Sequence, residues 1–141
     1  MGPGEQKDTY RGIIEAISQG EPDGLDGLVA ADIVDHNPSP GQAPGIAGLK
    51  EWIRRTRSSF PDLQGSVETV VAEGDWVAAR VTWRGTHRGE YIGIPATNRP
   101  VVFEAYHVVQ FSGGLAAEWW GTADLLGLAE QLGATLRSAS G

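Results

Sequence analysis

The chain predicts an α+β fold with helices first and an antiparallel meander after them. Apolar residues recur at helical spacing up to about Phe60 and switch to a period of two from Val67 onward. Glycine-bearing tight turns separate the later runs. A curved antiparallel sheet wrapped around the N-terminal helices would form a cone with an apolar cavity open at one end.

Taken in order, Tyr10, Ile13, Ile14 and Ile17 fall at i, i+3, i+4 and i+7, with Asp8 as N-cap and Gly20 as stop. Residues 1–7 ahead of them read as a disordered or cloning-derived start. Leu25, Leu28 and Val29 suggest a short second helix after Glu21-Pro22-Asp23. The passage from Asp35-His36-Asn37-Pro38 to Pro44 is too broken for either period. Leu49, Trp52 and Ile53 mark a third helix that stops near Phe60-Pro61-Asp62.

Val67–Glu73 and Trp76–Trp83 read as strands joined at Gly74-Asp75. On the second, Val77, Ala79, Val81 and Trp83 share one face, and Ala78, Arg80, Thr82 and Arg84 share the other. A loop punctuated by glycine and proline carries His87, Gly89, Tyr91 and Gly93-Ile94-Pro95. Val101–Phe111 is the longest strand, and Leu115–Trp120 pairs back on it through Ser112-Gly113-Gly114. Leu125, Leu128, Ala129 and Leu132 suggest a last short helix closed by Gly133, with 134–141 as a tail. The whole of 1–141 reads as one domain.

Composition narrows the function classes. A net charge of −7 and the lack of a basic stripe argue against a nucleic-acid partner. Arg54-Arg55-Thr56-Arg57 reads as the solvated face of its helix. The absence of cysteine excludes disulfides and thiol nucleophiles and fits a reducing compartment. With no secretory segment and no apolar run of spanning length, a soluble cytoplasmic protein without membrane contact is expected. The three histidines stand singly, without H-x-H or H-x-x-x-H spacing, so no metal site is expected.

The ionisable candidates lie among aromatic residues. His107 shares a strand face with Phe103, Ala105 and Val109. If that face is concave, its imidazole can polarise a carbonyl, hold an enolate oxygen or act as a base; the plainer reading is a satisfied core histidine. Asp124 is either a general base, activated by burial against Trp119, Trp120 and Leu125, or a carboxylate at the start of the last helix. Neighbouring strand residues face opposite ways, so Trp119 is expected in the cavity and Trp120 outside. Trp83, Phe103 and Tyr91 would add apolar wall. His36 and Asn37 are candidates for the cavity mouth, against a plain turn-forming role, and His87 is a site candidate against a surface-loop role. Glu104, Tyr106 and Gln110 fall on the outer side of the sheet, where a homodimer contact is expected.

These residues together resemble the SnoaL-like polyketide cyclase family. The resemblance is carried by Gly85-Thr86-His87-Arg88-Gly89, similar to a G-x-H-x-G motif, and by Gly93-Ile94-Pro95-Ala96-Thr97-Asn98-Arg99, similar to a G-x-P-x-T-x-R loop. Glu104 and His107, Asp124 ahead of Gln131-Leu132-Gly133, and Asn37-Pro38 complete it. It implies the cone fold of ketosteroid isomerase and scytalone dehydratase. It also implies closure of a polyketide ring by intramolecular aldol condensation, with no metal or cofactor. In that chemistry a carboxylate removes an acidic proton and polar neighbours hold the enolate.

The family's aldol cyclases carry a D-W-P-D run whose first aspartate is the acid/base. This chain matches the second aspartate at Asp124 but has Gly121 at the first, and Ala105 where those cyclases have glutamine. The leading expectation is a cofactor-independent cyclase acting on a hydrophobic, polyketide-derived molecule. Asp124 or His107 would be the base, and His36, Asn37, His87, Trp83, Phe103, Trp119 and Tyr91 would contact the substrate. Alternatives are epoxide opening, which needs a second acid such as Asp35 or Glu104, a cofactor-free hydroxylase, and a non-catalytic binding module.

Overall fold

Pro3 starts the first helix rather than a disordered lead-in. The computed structural model describes residues 1–134, and α1 runs Pro3–Gln19. Proline suits the first helical turn because its missing N–H would have no intrahelical acceptor there. The N-cap is Gly2, so Asp8 is interior and residues 3–7 are helical, which corrects the expectation for the start of the chain. Tyr10, Ile13, Ile14 and Ile17 form the buried stripe, and Gly20 ends the helix in a left-handed conformation.

The second expected helix is only a 3-10 turn over Pro22–Leu25. Val29 instead opens a strand, β1 (Val29–Asp35), inside a segment whose alternation is masked by Ala30, Ala31 and Asp32. Next come α2 (Gly45–Ser59), β2 (Gln64–Glu73), β3 (Trp76–Thr86), β4 (Pro100–Ser112), β5 (Leu115–Ala123) and α3 (Leu125–Gln131). The expected tail beyond Ala134 lies outside the described residues.

The strands form one sheet in the order β1-β5-β4-β3-β2. β2 through β5 are antiparallel neighbours, but β1 lies parallel to β5, so the sheet is not antiparallel throughout. Register shifts between Val67 and Thr69 and between Gln110 and Phe111 mark bulges, which add twist and curvature. The concave face carries Val77, Ala79, Val81, Trp83, Val101, Ala105, Val109 and Ala116, all buried with the apolar side of α1. Gly65, paired with Trp83, matters to that packing. A Cβ at Gly65 would lie 2.6 Å from the Trp83 ring, so only glycine lets the indole lie across the strand.

Candidate active site

Between the concave face and helices α1 and α2 lies a cavity of about 400 Å³, within the range that takes a small organic ligand. Ile13, Leu49, Trp52 and Phe60 contribute from the helical side, and Trp83, Phe103 and Trp119 from the sheet. The lining is mainly apolar, and the few polar side chains in it stand out: Asp35, Asn37, Ser39, Gln42, Thr56, Tyr91, His107 and Thr122.

His107 projects from the middle of β4 into this space, in register with Gly121 of β5. Its Nδ1 lies 2.7 Å from the hydroxyl of Tyr10, which α1 buries completely. Tyr10 makes no other side-chain hydrogen bond among the described residues, so its O–H is satisfied by donating to Nδ1. That fixes the imidazole as the Nε2–H tautomer. Burial pushes the His107 pKa down to about 4, which keeps the ring neutral near pH 7. Burial also raises the Tyr10 pKa, so the phenol remains a donor.

The consequence is specific: His107 offers the cavity an N–H and not a lone pair. Nε2 has no hydrogen-bond partner among the described residues. Trp119 stands beside it, with ring centroids 4.7 Å apart, and its Nε1–H is likewise unpartnered among the described residues. The two rings close in over Gly121, which has no side chain to hold them off. A Cβ at Gly121 would sit 3.0 Å from His107 Cδ2 and 3.0 Å from Trp119 Nε1. Glycine at 121 thus lets two rings, each with an unpartnered N–H, pack side by side in the cavity wall.

The other candidates divide between the cavity and the outside. Asn37 lines the cavity, and its Oδ1 accepts the Gly121 N–H at 3.0 Å, tying the end of β1 to β5. Trp83, Phe103, Trp119 and Tyr91 all line it. Tyr91 is held edge-on against Phe60, with centroids 5.1 Å apart.

His36, in contrast, points away. It stacks on Trp120 with centroids 4.1 Å apart, and its Nε2 lies 3.0 Å from Glu118 Oε1 on the outer face. His87 is fully buried but does not line the cavity. Its Nδ1 accepts the Thr97 N–H at 3.2 Å, and its ring lies behind Phe60, so it anchors the 88–99 loop. Asp124 is exposed, caps α3 by accepting the Gly127 N–H at 2.9 Å, and does not line the cavity. The expected burial against the tryptophans is absent because α3 starts there and turns the carboxylate onto its own free N–H groups.

Sequence reasoning missed Tyr10 and gave Asp35 no place in the leading reading. Tyr10 hid in an apolar helical stripe, although a phenol there was the one hint that something polar faces it. Among the described residues no group of three or more His, Asp or Glu is placed to hold a metal ion, and no helix is long and apolar enough to cross a membrane.

The model of the SnoaL-like polyketide cyclase family matches residues 7–132. The aklanonic acid methyl ester cyclase DnrD of Streptomyces peucetius is 27% identical over 135 residues, covering 91% of this chain and 90% of its own. The nogalonic acid methyl ester cyclase of Streptomyces nogalater is 28% identical over 127 residues, covering 86% of this chain and 92% of its own. Among solved structures, TsrD from Streptomyces laurentii superposes with a TM-score of 0.89 at 32% identity, covering 96% of this chain and 99% of its own.

Proposed function

Since the chain belongs to the SnoaL-like polyketide cyclase family, we propose that it closes a ring in a polyketide-derived carbonyl compound by intramolecular aldol chemistry. The observation that carries this reading is the pair of unpartnered N–H donors, His107 Nε2 and Trp119 Nε1, side by side near Gly121 in an aromatic cavity. Removing a proton between two carbonyls puts negative charge on oxygen. Two fixed donors in a mainly apolar pocket stabilise that oxygen more than they stabilise the neutral ketone. The aromatic walls fold the flat substrate so that its enolate carbon meets the second carbonyl. Ring closure of this kind is an isomerisation without net oxidation, so the chemistry calls for no redox cofactor.

Epoxide opening is less well supported. It needs a paired acid and base, and Asp35 is the single carboxylate among the described residues lining the cavity. Glu104 faces outward onto Arg80, at 3.0 Å. A purely structural role would have Trp83 and Trp119 fill the cavity, whereas about 400 Å³ remains open between them and the helices.

The direct test is incubation with aklanonic or nogalonic acid methyl ester, compounds that the relatives' names give, with no added cofactor. Conversion to a product of equal mass and altered retention, lost in His107→Phe, is the expected result. Quantitative recovery of both esters would remove the aldol assignment.

We further propose that the chain pairs with a second copy through the outer face of the sheet. Val71, Ala78, Val108 and Trp120 form an apolar row in register across β2, β3, β4 and β5. Val71 and Val108 are exposed, as are Trp76 and Tyr106 nearby. A row of exposed apolar residues in register across a sheet face favours an interface.

A further inference from the structure

We propose that Asp35 is the base that removes the substrate's proton, acting beside Trp119 and across the sheet face from His107, the two oxyanion donors. This rests on the ring-closure reading and supplies the residue that starts the reaction. The need for it is plain from His107. With Tyr10 donating to Nδ1, the imidazole presents Nε2–H and has no lone pair to accept a proton. Asp124 is outside, and Gly121 has no side chain to offer.

Asp35 ends β1 and is in register with Trp119 of β5, so their backbones lie one strand spacing apart. His107 lies on the next strand, in register with Gly121. Trp119 and Gly121 are two positions apart along β5, so Asp35 and His107 are offset by two strand spacings and a two-residue step, roughly 11–12 Å between backbones. The side chain that would stand between them is missing at Gly121. A planar carbonyl compound laid over that bare strip has its oxygen toward His107 and Trp119 and its acidic carbon toward Asp35.

The local hydrogen bonds suit this role. Asp35 Oδ1 accepts the Asn37 N–H at 3.0 Å, and Oδ2 accepts Gln42 Nε2 at 3.0 Å. Both donors are neutral, and among the described residues Asp35 joins no salt bridge. The carboxylate is oriented without being neutralised, and each oxygen keeps a lone pair for a ligand. Asn37 serves the same geometry from its other end, since its side chain holds the Gly121 N–H.

The proton balance closes within the site. Asp35 takes a proton from carbon, and the C–H electrons move to the carbonyl oxygen as an enolate held by His107 and Trp119. The enolate carbon then forms the new C–C bond, breaking the π bond of the second carbonyl. The resulting alkoxide takes the proton back from the Asp35 carboxyl group. No atom is gained or lost, and the carboxylate is regenerated.

The test compares wild type with Asp35→Asn, which keeps the size of the side chain and the oxygen that accepts the Asn37 N–H. With aklanonic acid methyl ester, kcat is expected to fall about 100-fold or more while KM stays within about threefold. Binding of 2-naphthol, a flat mimic of the enolate, is expected to hold or tighten, because a negative charge leaves the cavity. Wild-type turnover with Asp35→Asn retaining kcat within about threefold would overturn the assignment and leave the ring-closure reading standing. Loss of naphthol binding together with turnover would also overturn it, making Asp35 a structural residue. A wild type inert toward both the aklanonic and nogalonic esters removes the ring-closure reading, and the role of Asp35 with it.

Discussion

His107 shows how burial sets both chemistry and stability. In the unfolded chain its pKa returns to the ordinary 6.5, while in the folded protein it is held near 4. The unfolded state therefore binds more protons between these values, and stability falls as pH drops through that window. From pH 7 to pH 5 this one residue is expected to remove about 2 kcal/mol of stability. Urea melts at the two pH values check it against His107→Gln, which should lose that part of the pH dependence. An equal pH response in both proteins would contradict the assignment.

Legibility was uneven among the site residues. Alternation along β4 and β5 was enough to put His107, Phe103 and Trp119 on one face, because strand periodicity is local. The fates of Asp124 and His36 turned on where β5 gives way to α3 and how the chain leaves β1, which alternation does not encode. Tyr10 meets His107 only through a contact 97 positions away in the chain, beyond any local pattern.

Among the elements, α2, β2, β3 and β4 were legible from periodicity, and on β3 and β4 the expected inward residues Val77, Ala79, Val81, Trp83, Ala105 and Val109 are buried. β1 was not, since a short edge strand with Ala30, Ala31 and Asp32 lacks alternation and is defined by pairing with β5. The 88–99 loop carries its own signature of strain. Tyr91 and Ile94 form an isolated bridge around Ile92 and Gly93, with φ of 45° at Ile92 and 80° at Gly93. A β-branched residue rarely adopts that backbone, and Ile92 is exposed, so packing offsets little of the cost. Ile92→Asn is expected to stabilise the protein by about 1 kcal/mol, raising the thermal midpoint. A lower midpoint would mean that the isoleucine side chain is used in a contact.

For the whole molecule, the two faces of the sheet differ. Its concave side holds the aromatic cavity, and its outer side presents the Val71–Ala78–Val108–Trp120 row. A charge in the centre of that row should divide a dimer without touching the cavity. Val108→Arg is expected to halve the mass measured by light scattering while leaving ligand binding intact. Wild type running at monomer mass would contradict the pairing.

The central claim is that the cavity holds an enolate oxygen between the His107 and Trp119 N–H groups. The most direct measurement is a crystal structure with 2-naphthol bound. The account predicts the naphthol oxygen at about 2.7–3.2 Å from both His107 Nε2 and Trp119 Nε1, with the rings lying between Trp83 and Trp52. A naphthol bound outside the cavity, or turned with its oxygen away from both N–H groups, would contradict it.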